Sequence, residues 1–166
     1  SSLVPWIILV AAAHLMLVYK NKKVALPTTM AMTLLAFILI IYSTYLTRSG
    51  ILGDTSVHAF AGGLASQLLV YLLTFTFTTI VLFVVRYKNL PKDHKDDKVS
   101  SREFWLFIGA ILLTVQSIHL TKDTSIPVIN LVFGTNWDPF TEMTDRYANY
   151  NPIHAAYAMF IVLALA

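Results

Sequence analysis

Residues Leu64–Val85 read LASQLLVYLLTFTFTTIVLFVV, 22 positions without one charged side chain. An α-helix rises 1.5 Å per residue, so this run makes about 33 Å of helix against about 30 Å of bilayer hydrocarbon. The rest of the chain agrees with a membrane setting. Of its 166 residues 57% are hydrophobic and only 13% charged, where soluble domains carry about a quarter. The mean hydropathy is +0.66. The expected class is all-α: a polytopic integral membrane helical bundle.

Working outward from that run, four more apolar stretches appear: Leu3–Tyr19, Val24–Leu46, Phe104–Leu120 and Ile153–Ala166. The second and third stretches in chain order are long enough to span, the first and fourth are near the lower limit, and the fifth has 14 residues, about 21 Å of helix. The expectation is about five transmembrane helices in one transmembrane region, residues 1–166. The first stretch has no positive leader and no small-residue cleavage site before it, so it does not read as a signal peptide. We read the chain as a window on a longer protein.

The polar connections alternate in sign. Lys20, Lys22 and Lys23 follow the first stretch, and Arg86, Lys88, Lys92, Lys95, Lys98 and Arg102 follow the third, nine of the twelve Lys and Arg. By the positive-inside rule these lie in the cytoplasm, including the connection 86–102. The connections 47–63 and 121–152 are then outside, which in a bacterial inner (cytoplasmic) membrane means periplasmic. The basic residues flank spans and form no stripe, which argues against nucleic acid as a partner. There is no cysteine, so disulfides, thiolate catalysis and Cys-ligated metal or Fe–S sites are excluded within the chain. Ser100 or Ser101, followed by Glu103, is a helix N-cap signal for the fourth stretch.

The histidines separate by depth. His14, in AAAHLML, falls near mid-membrane, where a polar ring must find a partner. It reads either as an interhelical hydrogen bond or as a functional ligand, and Ala11, Ala12 and Ala13 leave room for a helix or a flat cofactor. His58 lies in the polar loop TRSGILGDTSVHAFAGG, residues 47–63, where burial does not force it to be; an incidental loop histidine and a ligand both fit. Arg48 begins that loop as a snorkelling anchor or as a fixed cation for a ligand carboxylate. His94 reads as a surface residue of the cytoplasmic connection, and His119 and His154 stand at interface depth. His14 and His58 differ in depth by about 15 Å, so they cannot ligate one iron.

The segment YLTRSGILGDTSVHAF, residues 45–60, resembles the FLVRSGVL…SVHAF element of the CcmF family of bacterial cytochrome c maturation. VPWIILVAAAHLMLV, residues 4–18, resembles the family's MPWL…HS segment. SSRE, residues 100–103, and ANYNP, residues 148–152, match later elements in the same order. The system II protein CcsA shares this motif ancestry. NWDPFTE, residues 136–142, is not the family's tryptophan-rich WxWDPxE signature: it has a single tryptophan, its glutamate comes one residue late, and it follows the His58 loop. One departure is GDT between Leu52 and Ser56, which makes the loop longer than the family form.

The resemblance implies a haem lyase (cytochrome c synthase) type of protein that binds haem b and takes part in joining haem to apocytochrome c at the periplasmic face. It places His14 as axial ligand of a resident membrane haem b and His58 as axial ligand of the periplasmic haem, each through haem iron, with the partner ligands elsewhere in the longer protein. Arg48 is a candidate propionate partner by charge and depth. The implied partners are apocytochrome c carrying CxxCH, a haem chaperone, other maturation subunits and membrane lipid. A transporter with His14 in its path, or a structural membrane subunit, is the alternative that the residues alone leave open.

Overall fold

The computed structural model describes residues 3–22, 25–52, 63–91, 101–137, 152 and 155–160. They form α1 (Leu3–Lys22), α2 (Leu26–Arg48), α3 (Ala65–Tyr87), α4 (Arg102–Thr124) and α5 (Ile126–Phe133), with a short helical segment at 155–160. There is no strand among the described residues. Four helices, α1 to α4, are long and apolar enough to cross a membrane. The chain is thus an all-α helical membrane bundle, as expected. Of the fifth apolar stretch, only 155–160 falls among the described residues.

Local chemistry accounts for the helix limits. Ala25 takes a left-handed conformation (φ 67°) and Pro27 falls in the first turn, where proline's missing N–H removes no helical bond; α2 therefore starts at Leu26. It runs on to Arg48, whose charge complements the C-terminal end of the helix dipole. At α4 the Ser101 hydroxyl oxygen accepts the Phe104 N–H at 3.2 Å, so Ser101 is the cap and Glu103 lies in the first turn. Of the stretch 121–152, residues 121–124 complete α4 and Ile126–Phe133 form α5. Ser125 between them stays right-handed (φ −95°, ψ −4°), and Gly134, left-handed at φ 64°, ends α5.

α1 is the shared helix. It packs against α2 on one side and α4 on the other, while α3 packs against α2. The core joins Val4, Ile7, Ala11 and Leu15 of α1 to Ala110, Leu113 and Leu120 of α4, with Met32 and Leu39 of α2 against them. Ala11 is fully buried and Ala110 almost so, and Gly109 is buried beside it. Small residues at this seam bring the two backbones close, which is where membrane helices find their packing energy. Asn21 donates to Glu103 at 3.4 Å across the far end of the same pair.

Hydroxyls within these helices are mostly internally satisfied. Thr33 and Thr44 of α2 donate to the carbonyls of Thr29 and Ile40, both at 2.9 Å. Thr114 and Thr121 of α4 donate to the carbonyls of Ala110 and Ser117, both at 2.7 Å. A side chain that bonds its own helix four residues back has no hydroxyl to satisfy in hydrocarbon. The tight seam sets a test: Ala11→Leu adds three carbons where there is no free space and should destabilise the protein by about 1–3 kcal/mol. Unfolding in mixed micelles measures this, and an unchanged midpoint would contradict the packing.

Candidate functional site

His14 sits on α1 close to its midpoint, eleven residues from Leu3 and eight from Lys22, about 16 and 12 Å from the two ends. Val4, Ile7, Ile8, Ala11, Ala12, Leu15 and Val18 form the buried stripe of that helix. His14 lies at the edge of the stripe and is half-buried. Its Nδ1 is 2.7 Å from the carbonyl oxygen of Val10. A carbonyl can only accept, so Nδ1 carries the proton of this bond. In the neutral imidazole Nε2 then holds the lone pair. This is the arrangement that orients a histidine for metal ligation: one nitrogen anchored to a backbone carbonyl, the other presented. A neutral imidazole held in this way is chemically the type of donor that haem iron takes.

Arg48 ends α2 and is exposed. The turn after it is ordered: the Ser49 N–H bonds the Tyr45 carbonyl at 2.9 Å, Gly50 takes φ 81°, and Leu52 is buried. At the other end of the polar loop Gly63 takes φ 66°. Both glycines are thus turn residues at a backbone conformation that disfavours any side chain. His58 and the GDT insert at 53–55 lie outside the described residues, as do His94 and His154.

Val4 of α1, Leu46 of α2 and Thr121 and Thr124 of α4 line one shallow cleft with Leu39, Tyr42 and Ser43. These three helix ends are therefore level. His14 is ten residues along α1 from Val4, about 15 Å deeper, whereas Arg48 is two residues past Leu46. The fold keeps His14 and Arg48 at different depths and does not bring them together.

The cleft end holds a polar clamp that residue types alone did not reveal. The Tyr42 hydroxyl donates to Ser125 Oγ at 2.6 Å, and Ser125 Oγ donates to the Thr121 carbonyl at 2.6 Å. It ties the α4–α5 corner to α2 two turns before Arg48. Nearby on α4, His119 Nε2 lies 3.7 Å from Asp123 Oδ2, and its ring is 6.4 Å from that of Tyr157, which sets the 155–160 segment beside α4. After α5, Asn130 closes a turn: its Nδ2 donates to the Trp137 carbonyl at 2.7 Å and its Oδ1 accepts from Trp137 N–H at 3.1 Å. NWDPFTE therefore begins as the closing end of the α5 turn.

With the geometry in place, the relatives can be weighed. The chain is 27% identical, over its whole length, to the cytochrome c-type biogenesis protein NrfE of Haemophilus influenzae. It is 32% identical over 77% of its length to the cytochrome c-type biogenesis protein CycK of Bradyrhizobium diazoefficiens, and 26% identical over 81% to the cytochrome c-type biogenesis protein CcmF of Escherichia coli. The chain is CcmF-like. It spans 26% of the NrfE relative, 19% of CycK and 21% of CcmF, so the CcmF-like window is a fraction of such proteins. No protein-family model matches the chain, and no solved structure does.

The clamp gives a measurable expectation. Tyr42→Phe removes one interhelical hydrogen bond and leaves Ser125 bonded to Thr121. The loss should be about 0.6 kcal/mol, with about 1.7 as the upper end for such bonds in membranes. Unfolding in mixed micelles checks it, and a loss of several kcal/mol would show that the clamp holds more than one bond.

Proposed function

We propose that this chain is the haem-handling part of a cytochrome c biogenesis protein and that its two histidine elements, around His14 and His58, serve two haems at two depths. The observation that carries this reading is His14: mid-helix, half-buried, with Nδ1 held by the Val10 carbonyl at 2.7 Å, which leaves Nε2 as the lone-pair nitrogen of the neutral ring. Support comes also from the relatives' shared description as cytochrome c-type biogenesis proteins.

Haem b, when bound, supplies an iron that carries an electron and vinyl groups that accept thiols. The chain's own part is positioning. His14 holds the resident group in the membrane through Nε2, with ring angle set by the helix carbonyl. His58, in the SVHAF element, holds the second group at the periplasmic face of a bacterial inner membrane. Arg48, at the start of the same loop, pairs with a propionate there and fixes the porphyrin's orientation. A substrate with two thiols, the CxxCH segment of apocytochrome c, then approaches from the periplasm, with a haem chaperone and further maturation subunits as suppliers. The chain has no cysteine of its own to compete for the vinyl groups.

The test uses the full-length protein. Wild type should purify with haem b in a pyridine haemochrome assay, and His14→Ala should lose it. No haem in wild type overturns the resident cofactor, and unchanged haem in His14→Ala overturns its ligand. Separately, His58→Ala should abolish holocytochrome c formation in cells while leaving the His14 haem in place; normal holocytochrome levels would reject that role. Arg48→Ala should weaken retention of the periplasmic haem and leave the membrane haem unaltered.

A further inference from the structure

α3 contains no buried residue, although it is the most apolar helix of the four. Its side chains divide into three faces. Leu68, Leu72, Thr76, Thr79 and Phe83 are half-buried and follow one another at helical spacing; this is the face toward α2, the helix α3 packs on. Phe75 sits beside it, its ring 5.8 Å from that of Phe37 on α2. A second face carries Leu73, Phe77, Ile80 and Val84, all large, apolar and more than half exposed, which suits lipid.

The third face is different. Gln67, Tyr71, Thr74 and Thr78 recur at steps of four, three and four and so form one stripe, about 130° around the helix from the α2 face and about 120° from the lipid-suited one. All four are exposed. Thr74 and Thr78 also depart from the habit of α2 and α4, where Thr33, Thr44, Thr114 and Thr121 turn their hydroxyls back onto their own helix. Among the described residues the hydroxyls of Thr74 and Thr78 have no hydrogen-bond partner, as those of Thr76 and Thr79 on the α2 face have none, so it is the position of the stripe that sets the third face apart. A polar stripe is costly against lipid tails and favourable against another helix that answers its donors.

We propose that Gln67, Tyr71, Thr74 and Thr78 are the docking face for a further transmembrane helix of the same polypeptide, one that presents hydroxyl, amide or small side chains at mid-membrane. The same polypeptide is the source because the matched relatives are about four to five times the length of this window, and a helix on the same chain meets α3 at high effective concentration. The inference stands on the membrane fold and does not depend on haem.

Photo-crosslinking in the membrane-embedded full-length protein tests it. Thr74→p-benzoylphenylalanine and Thr78→p-benzoylphenylalanine should each give an intrachain adduct, mapped by mass spectrometry to an apolar helix outside residues 1–166, while Leu73→p-benzoylphenylalanine should give lipid adducts. Lipid adducts at positions 74 and 78, no adduct, an adduct to a second copy, to another subunit, or to a segment within 1–166 would each overturn the proposal. A second measurement avoids the bulky probe: a spin label at Thr74→Cys should collide with oxygen less often than one at Leu73→Cys, and equal or greater collision rates would overturn it.

Discussion

The fold depends on the close seam between α1 and α4. Ala11 of α1 and Ala110 and Gly109 of α4 are buried in it, and backbones can approach closely only where side chains are small. In a bilayer no hydrophobic force draws helices together, so packing of this kind has to do the work. Because α1 also packs on α2, the seam fixes the rotation of α1 about its own axis. That rotation is what leaves His14 at the rim of the buried stripe and not inside it. A histidine one position earlier would face outward with Ala13, and one position later it would replace buried Leu15.

Depth is the second consequence of the same arrangement. The level ends of α1, α2 and α4 define one rim, where hydroxyls, Arg48 and the α4–α5 corner collect. His14 lies about three helical turns below it. The two regions differ: at the rim hydroxyls bond one another and the backbone, as Tyr42, Ser125 and Thr121 do, while the midpoint of α1 carries an imidazole bonded to its own helix.

What could be read from residue types, and what could not, follows from the range of the interaction involved. Leu64–Val85 was legible because hydrocarbon thickness sets a length, and Ser101 because a cap acts within one turn. α5 was missed: Ser125 and Pro127 look like breakers, yet proline is harmless in a first turn and Ser125 keeps a right-handed backbone. The Gly134 stop was the visible clue. The Tyr42–Ser125 bond spans 83 positions and depends on helix rotation, which composition does not encode. That His14 must find a hydrogen-bond partner was legible from depth, whereas its Val10 anchor required a side-chain rotamer. The positive φ of Gly50 and Gly63, which shape the two exits of the loop, depends on backbone geometry that composition does not show.

Those two exits bear on how the loop tolerates change. Where the chain leaves α2 and enters α3, its direction is set by handedness at Gly50 and Gly63, not by the number of residues between them. The entropy of closing such a segment rises only with the logarithm of its length, about 0.6 kcal/mol per doubling, so a few added residues cost a fraction of that. An insertion such as GDT can therefore accumulate between fixed gateposts while both helices keep their registers.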